Sequence, residues 1–154
     1  MSDPKTAFSP NSNPDLAPVE QQAAGFEAVR EARRSETAED YVELIDDLIK
    51  ATGEARVVDV AARMGVSHAT VNRILARLSK EGLVNTQPYR AIFLTDAGVN
   101  LAQQSRERHR IVVGFLTALG IDEATAERDA EGIEHYVSEA TIQAFQDWTG
   151  KIIS

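Results

Sequence analysis

Cysteine is absent from this 154-residue chain. That removes a disulfide framework, a thiolate metal site and a thiol nucleophile together, so any bound metal must rest on carboxylates, imidazoles and carbonyls. Apolar runs are short: none nears the roughly 20 residues that a membrane-spanning helix needs, and the N-terminus has no basic segment followed by an apolar one. A cytoplasmic protein with no membrane partner is expected. Glycine-rich phosphate loops and internal repeats are missing as well. Proline is almost confined to one end, four of the five (Pro4, Pro10, Pro14 and Pro18) falling among Ser, Asn and Asp in the first 18 residues. Residues 1–18 therefore read as a disordered tail.

What remains is ordinary for a globular chain, 43% apolar and 26% charged. That suffices for one compact domain, or for a small module and a helical extension that share a core. The net charge of −8 speaks against a nucleic-acid partner when taken whole. Its distribution reverses that. Between residues 67 and 90, Arg73, Arg77, Lys80 and Arg90 face Glu81 alone, whereas residues 101–154 carry five basic and nine acidic side chains. The first stretch suits phosphates and the second suits cations.

Helix formers begin at Val19, and residues 19–36 read as an N-terminal extension with a short helix to about Arg34. Tyr41, Val42, Ile45, Leu48 and Ile49 then form an apolar stripe of helical period that stops at Gly53. Val57, Val60, Ala61 and Met64 make a shorter one ending at Gly65, and Ser67 is a good N-cap for a third helix carrying Val71, Ile74, Leu75 and Leu78. Three helices with a short turn between the second and third predict a helix-turn-helix. Leu83 to Thr86 and Ala91 to Leu94 add a hairpin, the wing, around Pro88, Tyr89 and Arg90. Thr95 or Asp96 caps a long fourth helix, Asp122 a fifth and Ser138 a sixth. The expected class is mainly α: a winged helix-turn-helix DNA-binding domain over 37–96, followed by a helical domain over 97–154.

In such a module the third helix enters the major groove. His68, Ala69, Asn72 and Arg73 are the base-reading candidates, since Asn pairs with adenine, Arg with guanine, and Ala meets a thymine methyl. Thr70, Arg77 and Arg90 are assigned to phosphates. Elsewhere, Asp40, Glu43 and Asp47 share one face of the first core helix, and Glu131, Glu134 and His135 share another in EGIEHY. Each set is compatible with a solvated surface or with a cation held between the carboxylates. Enzyme patterns fail: an H-x-x-E-H zinc motif needs His at Glu131, and the E-x-x-H of di-iron bundles needs Glu at Gly132. No enzyme activity is expected.

The stretches DYVELIDDLI, EARVVDVAARMGVSHATVNRILARL, YRAIFLTDAG, SRERHRIV and RDAEGIEHYVSE resemble the manganese-regulator branch of the diphtheria toxin repressor family, from about Glu31 to Trp148. The resemblance implies a manganese-responsive repressor that binds double-stranded operator DNA as a homodimer, its C-terminal helices forming the dimerisation domain. It places metal ligands at Asp40, Glu43, His109, Glu131, Glu134 and His135, in a binuclear site. Iron-sensing relatives carry sulfur ligands at the positions of Asp40 and Glu131, so oxygen and imidazole donors favour two Mn(II) ions, with Fe(II) the alternative. A winged-helix regulator answering to a small organic ligand is the other reading. Two departures stand out: the wing tip has Ala91 where Gly usually follows the Arg, and Tyr136 replaces the second His of a frequent EHH.

Overall fold

A computed structural model describes residues 16–154, so the tail expected over 1–18 lies, as far as residue 15, outside the described residues. The chain folds into α1 (Val19–Thr52), α2 (Val57–Met64), α3 (His68–Lys80), β1 (Val84–Asn85), β2 (Phe93–Leu94), α4 (Asp96–Ala118), α5 (Glu123–Tyr136) and α6 (Glu139–Ile153). The short extension helix and the first core helix predicted from sequence are one continuous helix. No proline interrupts α1, and it ends where Gly53, at φ 87°, donates its N–H to the Ile49 carbonyl. The first thirteen residues of α1 are exposed throughout, whereas Ala38, Tyr41, Val42, Ile45 and Leu48 are buried.

The predicted side-chain caps all form. Ser67, Thr95, Asp122 and Ser138 accept the backbone N–H of Thr70, Gly98, Thr125 and Thr141, which fixes the starts of α3 to α6. The wing is shorter than expected, two residues per strand, with Val84 paired to Leu94 and Asn85 to Phe93. An isolated bridge from Ala55 to Ile92 ties it to the end of α1. At the tip, Arg90 N–H returns to the Gln87 carbonyl at 3.2 Å, with Pro88 and Tyr89 between them and Tyr89 at φ 61°. The positive φ thus falls on Tyr89, as in a type II turn, and not beside Ala91.

Among the described residues, two apolar clusters organise the fold. One joins α1, α2, α3 and the wing through Ile45, Val60, Val71, Leu78 and Ile92. The other joins α4, α5 and α6 through Val112, Leu116, Ala126, Ala130 and Ile142, with the Phe115 and Phe145 rings stacked at 4.1 Å. Helix α4 serves both, because Leu101 packs on the first cluster and Val112 sits within the second. Its start presses on the wing: a Cβ added at Gly98 would lie 2.1 Å from the Leu83 carbonyl oxygen. Between the clusters, the acidic face of α1 meets α4 and α5.

Candidate metal centre

Helical spacing puts Glu36, Asp40 and Glu43 on successive turns of α1, and Glu127, Glu131 and Glu134 do the same on α5. His109 of α4 stands between them. Glu134 lies at the centre, 2% exposed, with Oε2 2.7 Å from His109 Nδ1 and Oε1 3.3 Å from His135 Nε2. The ligand atoms of His109, Glu131 and Glu134 lie within 4.8 Å of one another, and so do those of Glu36, Asp40 and His135. Asp40 Oδ1 is 3.4 Å from His135 Nε2, and Glu131 Oε1 is 3.6 Å from His109 Nδ1. Of the six residues expected from sequence, Glu43 alone joins neither group; it is half-buried beside them and feels the charges of Glu131 and Asp40.

Each histidine is gripped from behind by a carboxylate. Glu127 bonds His109 Nε2 at 2.6 Å, and Glu39 bonds His135 Nδ1. The remaining nitrogen of each ring is thereby turned toward Glu134, the arrangement that fixes ring orientation and raises donor strength in metal-binding histidines. Arg108 secures the end of α5 by donating to the carbonyls of Glu134 and Val137 at 2.6 Å each, and it also pairs with Glu139. Asp47 belongs elsewhere, since Arg106 holds it and buried Asp46 at 2.7 Å each. None of Glu36, Glu39, Glu127 and Arg108 was identified from sequence. Their partners lie 18 to 100 residues away, beyond any local pattern.

Burial raises the Glu134 carboxyl to about 7 against the pull of His109 and His135. Burial also opposes a charge on His135, but Asp40 and Glu39 outweigh it and lift that ring to about 10. His109 is raised likewise, Glu127, Glu134 and Glu131 prevailing over desolvation. Glu43 is raised, mainly by burial, while the Ser105 hydroxyl and Arg106 draw it down. The buried Ser105 Oγ nonetheless meets no partner in hydrogen-bond geometry, so it lies against Glu43 without an aligned bond. The carboxylates thus repel one another less than a bare count suggests, because the two imidazoles hold protons among them. The donor set is oxygen and imidazole, preoriented and gathered from three helices, and it fits a hard divalent cation.

At the other end, His68, Ala69, Asn72 and Arg73 are exposed on α3, and Arg90 is exposed on the wing. A groove of about 740 Å³ runs between them, lined by His68, Asn72, Tyr89 and Arg90 among others. Thr70 is half-buried, its hydroxyl 3.0 Å from that of Ser67. Arg77 donates to the Arg34 carbonyl of α1 at 2.9 Å and pairs with Glu81 at 3.3 Å, so it braces the recognition helix against α1.

Residues 34–92 match the family described as the iron-dependent repressor N-terminal DNA-binding domain, and residues 95–152 match its metal-binding and dimerisation domain. The chain belongs to the iron-dependent repressor family. This is the diphtheria toxin repressor family of the sequence resemblance. Its relatives include the transcriptional regulator MntR of Escherichia coli O6:H1, 55% identical over 88% of either chain. The HTH-type transcriptional regulator MntR of Listeria monocytogenes serotype 4a is 35% identical over 71% of this chain and 77% of its own. Among solved structures, a manganese-dependent transcriptional repressor in complex with manganese superposes with a TM-score of 0.64 at 30% identity, covering 73% of this chain and 52% of that one. The IdeR structure from T. acidophilum gives 0.62 at 26% identity over 73% and 53%. The chain spans about half the length of these two solved structures.

Proposed function

We propose that this chain is a manganese-responsive transcriptional repressor, acting in the cytoplasm as a metal-loaded homodimer on operator DNA that controls manganese homeostasis genes. One observation carries the reading: His109 and His135, each backed by a carboxylate, converge on buried Glu134 between the DNA-binding and dimerisation halves. Asp40, Glu43, His109, Glu131, Glu134 and His135 are the proposed ligands of two Mn(II) ions, and Fe(II) is the competing occupant. When bound, Mn(II) supplies positive charge that offsets the clustered carboxylates.

The work of the residues follows from their helices. Asp40 and Glu43 belong to α1, which shares a core with α3, whereas Glu131, Glu134 and His135 belong to α5. Side chains from both halves, held to common ions, fix the angle of α3 against the dimer frame. Two recognition helices must lie about 34 Å apart to enter successive major grooves. Metal loading narrows the ensemble to that spacing. His68, Ala69, Asn72 and Arg73 then read bases, while Thr70, Arg77 and Arg90 meet phosphates. The E. coli relative at 55% identity is named a transcriptional regulator, which supports regulation over catalysis.

The test is a titration of an inverted-repeat operator against Mn(II), Fe(II) and Zn(II). Mn(II)-dependent tightening at concentrations where Zn(II) gives less supports the reading. Binding indifferent to all three ions contradicts it.

A further inference from the structure

The unbroken course of α1 brings a carboxylate to the site from outside the six proposed ligands. Glu36 lies one turn before Asp40, and its ligand oxygen falls within 4.8 Å of those of Asp40 and His135. Tyr136, the residue that replaces a frequent His, donates its hydroxyl to Glu36 Oε2 at 2.8 Å. That bond joins α5 to α1 across 100 residues of sequence and occupies one oxygen of the carboxylate. No Lys or Arg ion-pairs with Glu36 among the described residues, whereas Asp46 and Asp47 on the same helix are both held by Arg106. Arg106 thus marks Asp46 and Asp47 as structural carboxylates.

We propose that Glu36 is a further divalent-cation ligand, on the Asp40 and His135 side of the centre, held in position by Tyr136. The inference rests on the cation reading above and deepens it. A tyrosine hydroxyl on one carboxylate oxygen does for Glu36 what Glu39 does for His135: it orients the donor without taking the lone pairs that face the site. Because Glu36 stands where the exposed arm of α1 meets the body, cation binding also anchors the root of that arm.

The test uses the full chain, with Mn(II) binding followed by calorimetry and by the electron paramagnetic resonance of bound Mn(II), and with melting in chelator as a second readout. Glu36→Gln should weaken one class of Mn(II) site about 10-fold or more, and Tyr136→Phe about 10-fold, the low end of the roughly 10- to 100-fold range typical of residues that support metal ligands. Both should melt in chelator within about 2 °C of the unaltered chain, the small change expected of a surface substitution. Asp47→Asn removes the same charge from the same helix and should change affinity less than about twofold, because an exposed charge paired with arginine acts weakly at a distance. A Glu36→Gln chain that binds Mn(II) as tightly as the unaltered one, or weakens no more than Asp47→Asn, overturns the proposal. Tyr136→Phe chains that lose stability in chelator but no affinity would make the contact a structural bond only, and overturn it as well. Failure of the unaltered chain to bind Mn(II) overturns the cation reading itself, which the first titration reveals before any variant is compared.

Discussion

Replacing Glu134 by Gln keeps the shape of the buried side chain and removes its charge. Its carboxyl is raised from 4.5 to about 7 in the folded chain, so the stability it lends is fully present below the unfolded pKa and is lost as pH rises through about 7. Keeping Glu134 ionised at pH 8 without metal therefore costs up to about 3 kcal/mol. The amide avoids this cost but gives back part of the gain, because its NH2 faces one histidine nitrogen that the carboxylate had accepted from. At pH 8 with chelator, the variant should melt at or above the temperature of the unaltered chain, and the difference should vanish near pH 5. Metal reverses the order. At Mn(II) 100-fold above its dissociation constant the unaltered chain gains about 2.7 kcal/mol, or about 5–10 °C; a 100-fold loss of affinity leaves about 0.4 kcal/mol, or 1–2 °C. Melting of both chains at pH 5 and 8, with chelator and with Mn(II), gives all the quantities. Clear destabilisation of the metal-free variant at pH 8 would mean that Glu134 is not held uphill in the empty site, and an undiminished Mn(II) shift that it is not a ligand.

Three further outcomes are expected. Gly98→Ala should lower stability by about 1–3 kcal/mol in urea melts, since the new methyl meets the Leu83 carbonyl at 2.1 Å and the wing must move away from α4; an unchanged midpoint contradicts that packing. Arg73→Ala should relax operator preference at unchanged stability, whereas Arg77→Ala should cost about 1 kcal/mol of stability through its lost bond to the Arg34 carbonyl and weaken all DNA together. Equal loss of specific and non-specific binding in both variants breaks that division. Mn(II) uptake at pH 7 should release protons, because the metal-free site keeps His135 raised to about 10 and Glu134 to about 7. Calorimetry in buffers of different ionisation heat measures the number released, and proton-neutral uptake contradicts it.

The parts of the fold that depend on neighbours in sequence were readable directly. Ser67, Thr95, Asp122 and Ser138 announce their helices because a cap is a bond across three residues. The apolar stripes of α1, α2 and α3 name most of the first cluster for the same reason. Continuity of α1 was less legible: Ser35 and Thr37 look like capping residues, yet neither caps, and Thr37 Oγ1 bonds back to the Arg33 carbonyl inside the helix. The candidate site divides similarly. Two of its acidic faces follow from helical spacing, but Glu39 behind His135, Glu127 behind His109 and Tyr136 on Glu36 depend on how α1, α4 and α5 pack. Arg77 shows the limit most clearly. Its place near the end of α3 suggests a phosphate contact, and only the folded chain adds a second role, a bond to the Arg34 carbonyl that braces α3 on α1.

Mn(II) binding by calorimetry with and without an inverted-repeat operator shows whether the metal centre and the DNA-reading face are coupled. Free-energy coupling between two sites is reciprocal, so whatever factor Mn(II) adds to operator affinity, the operator must return to overall Mn(II) affinity. Coupling of about 1–3 kcal/mol, read as a 5- to 150-fold tightening of Mn(II) on the DNA-bound chain, is the expected result. Identical Mn(II) affinity in the presence and absence of operator would contradict a metal centre that sets the angle of the reading head.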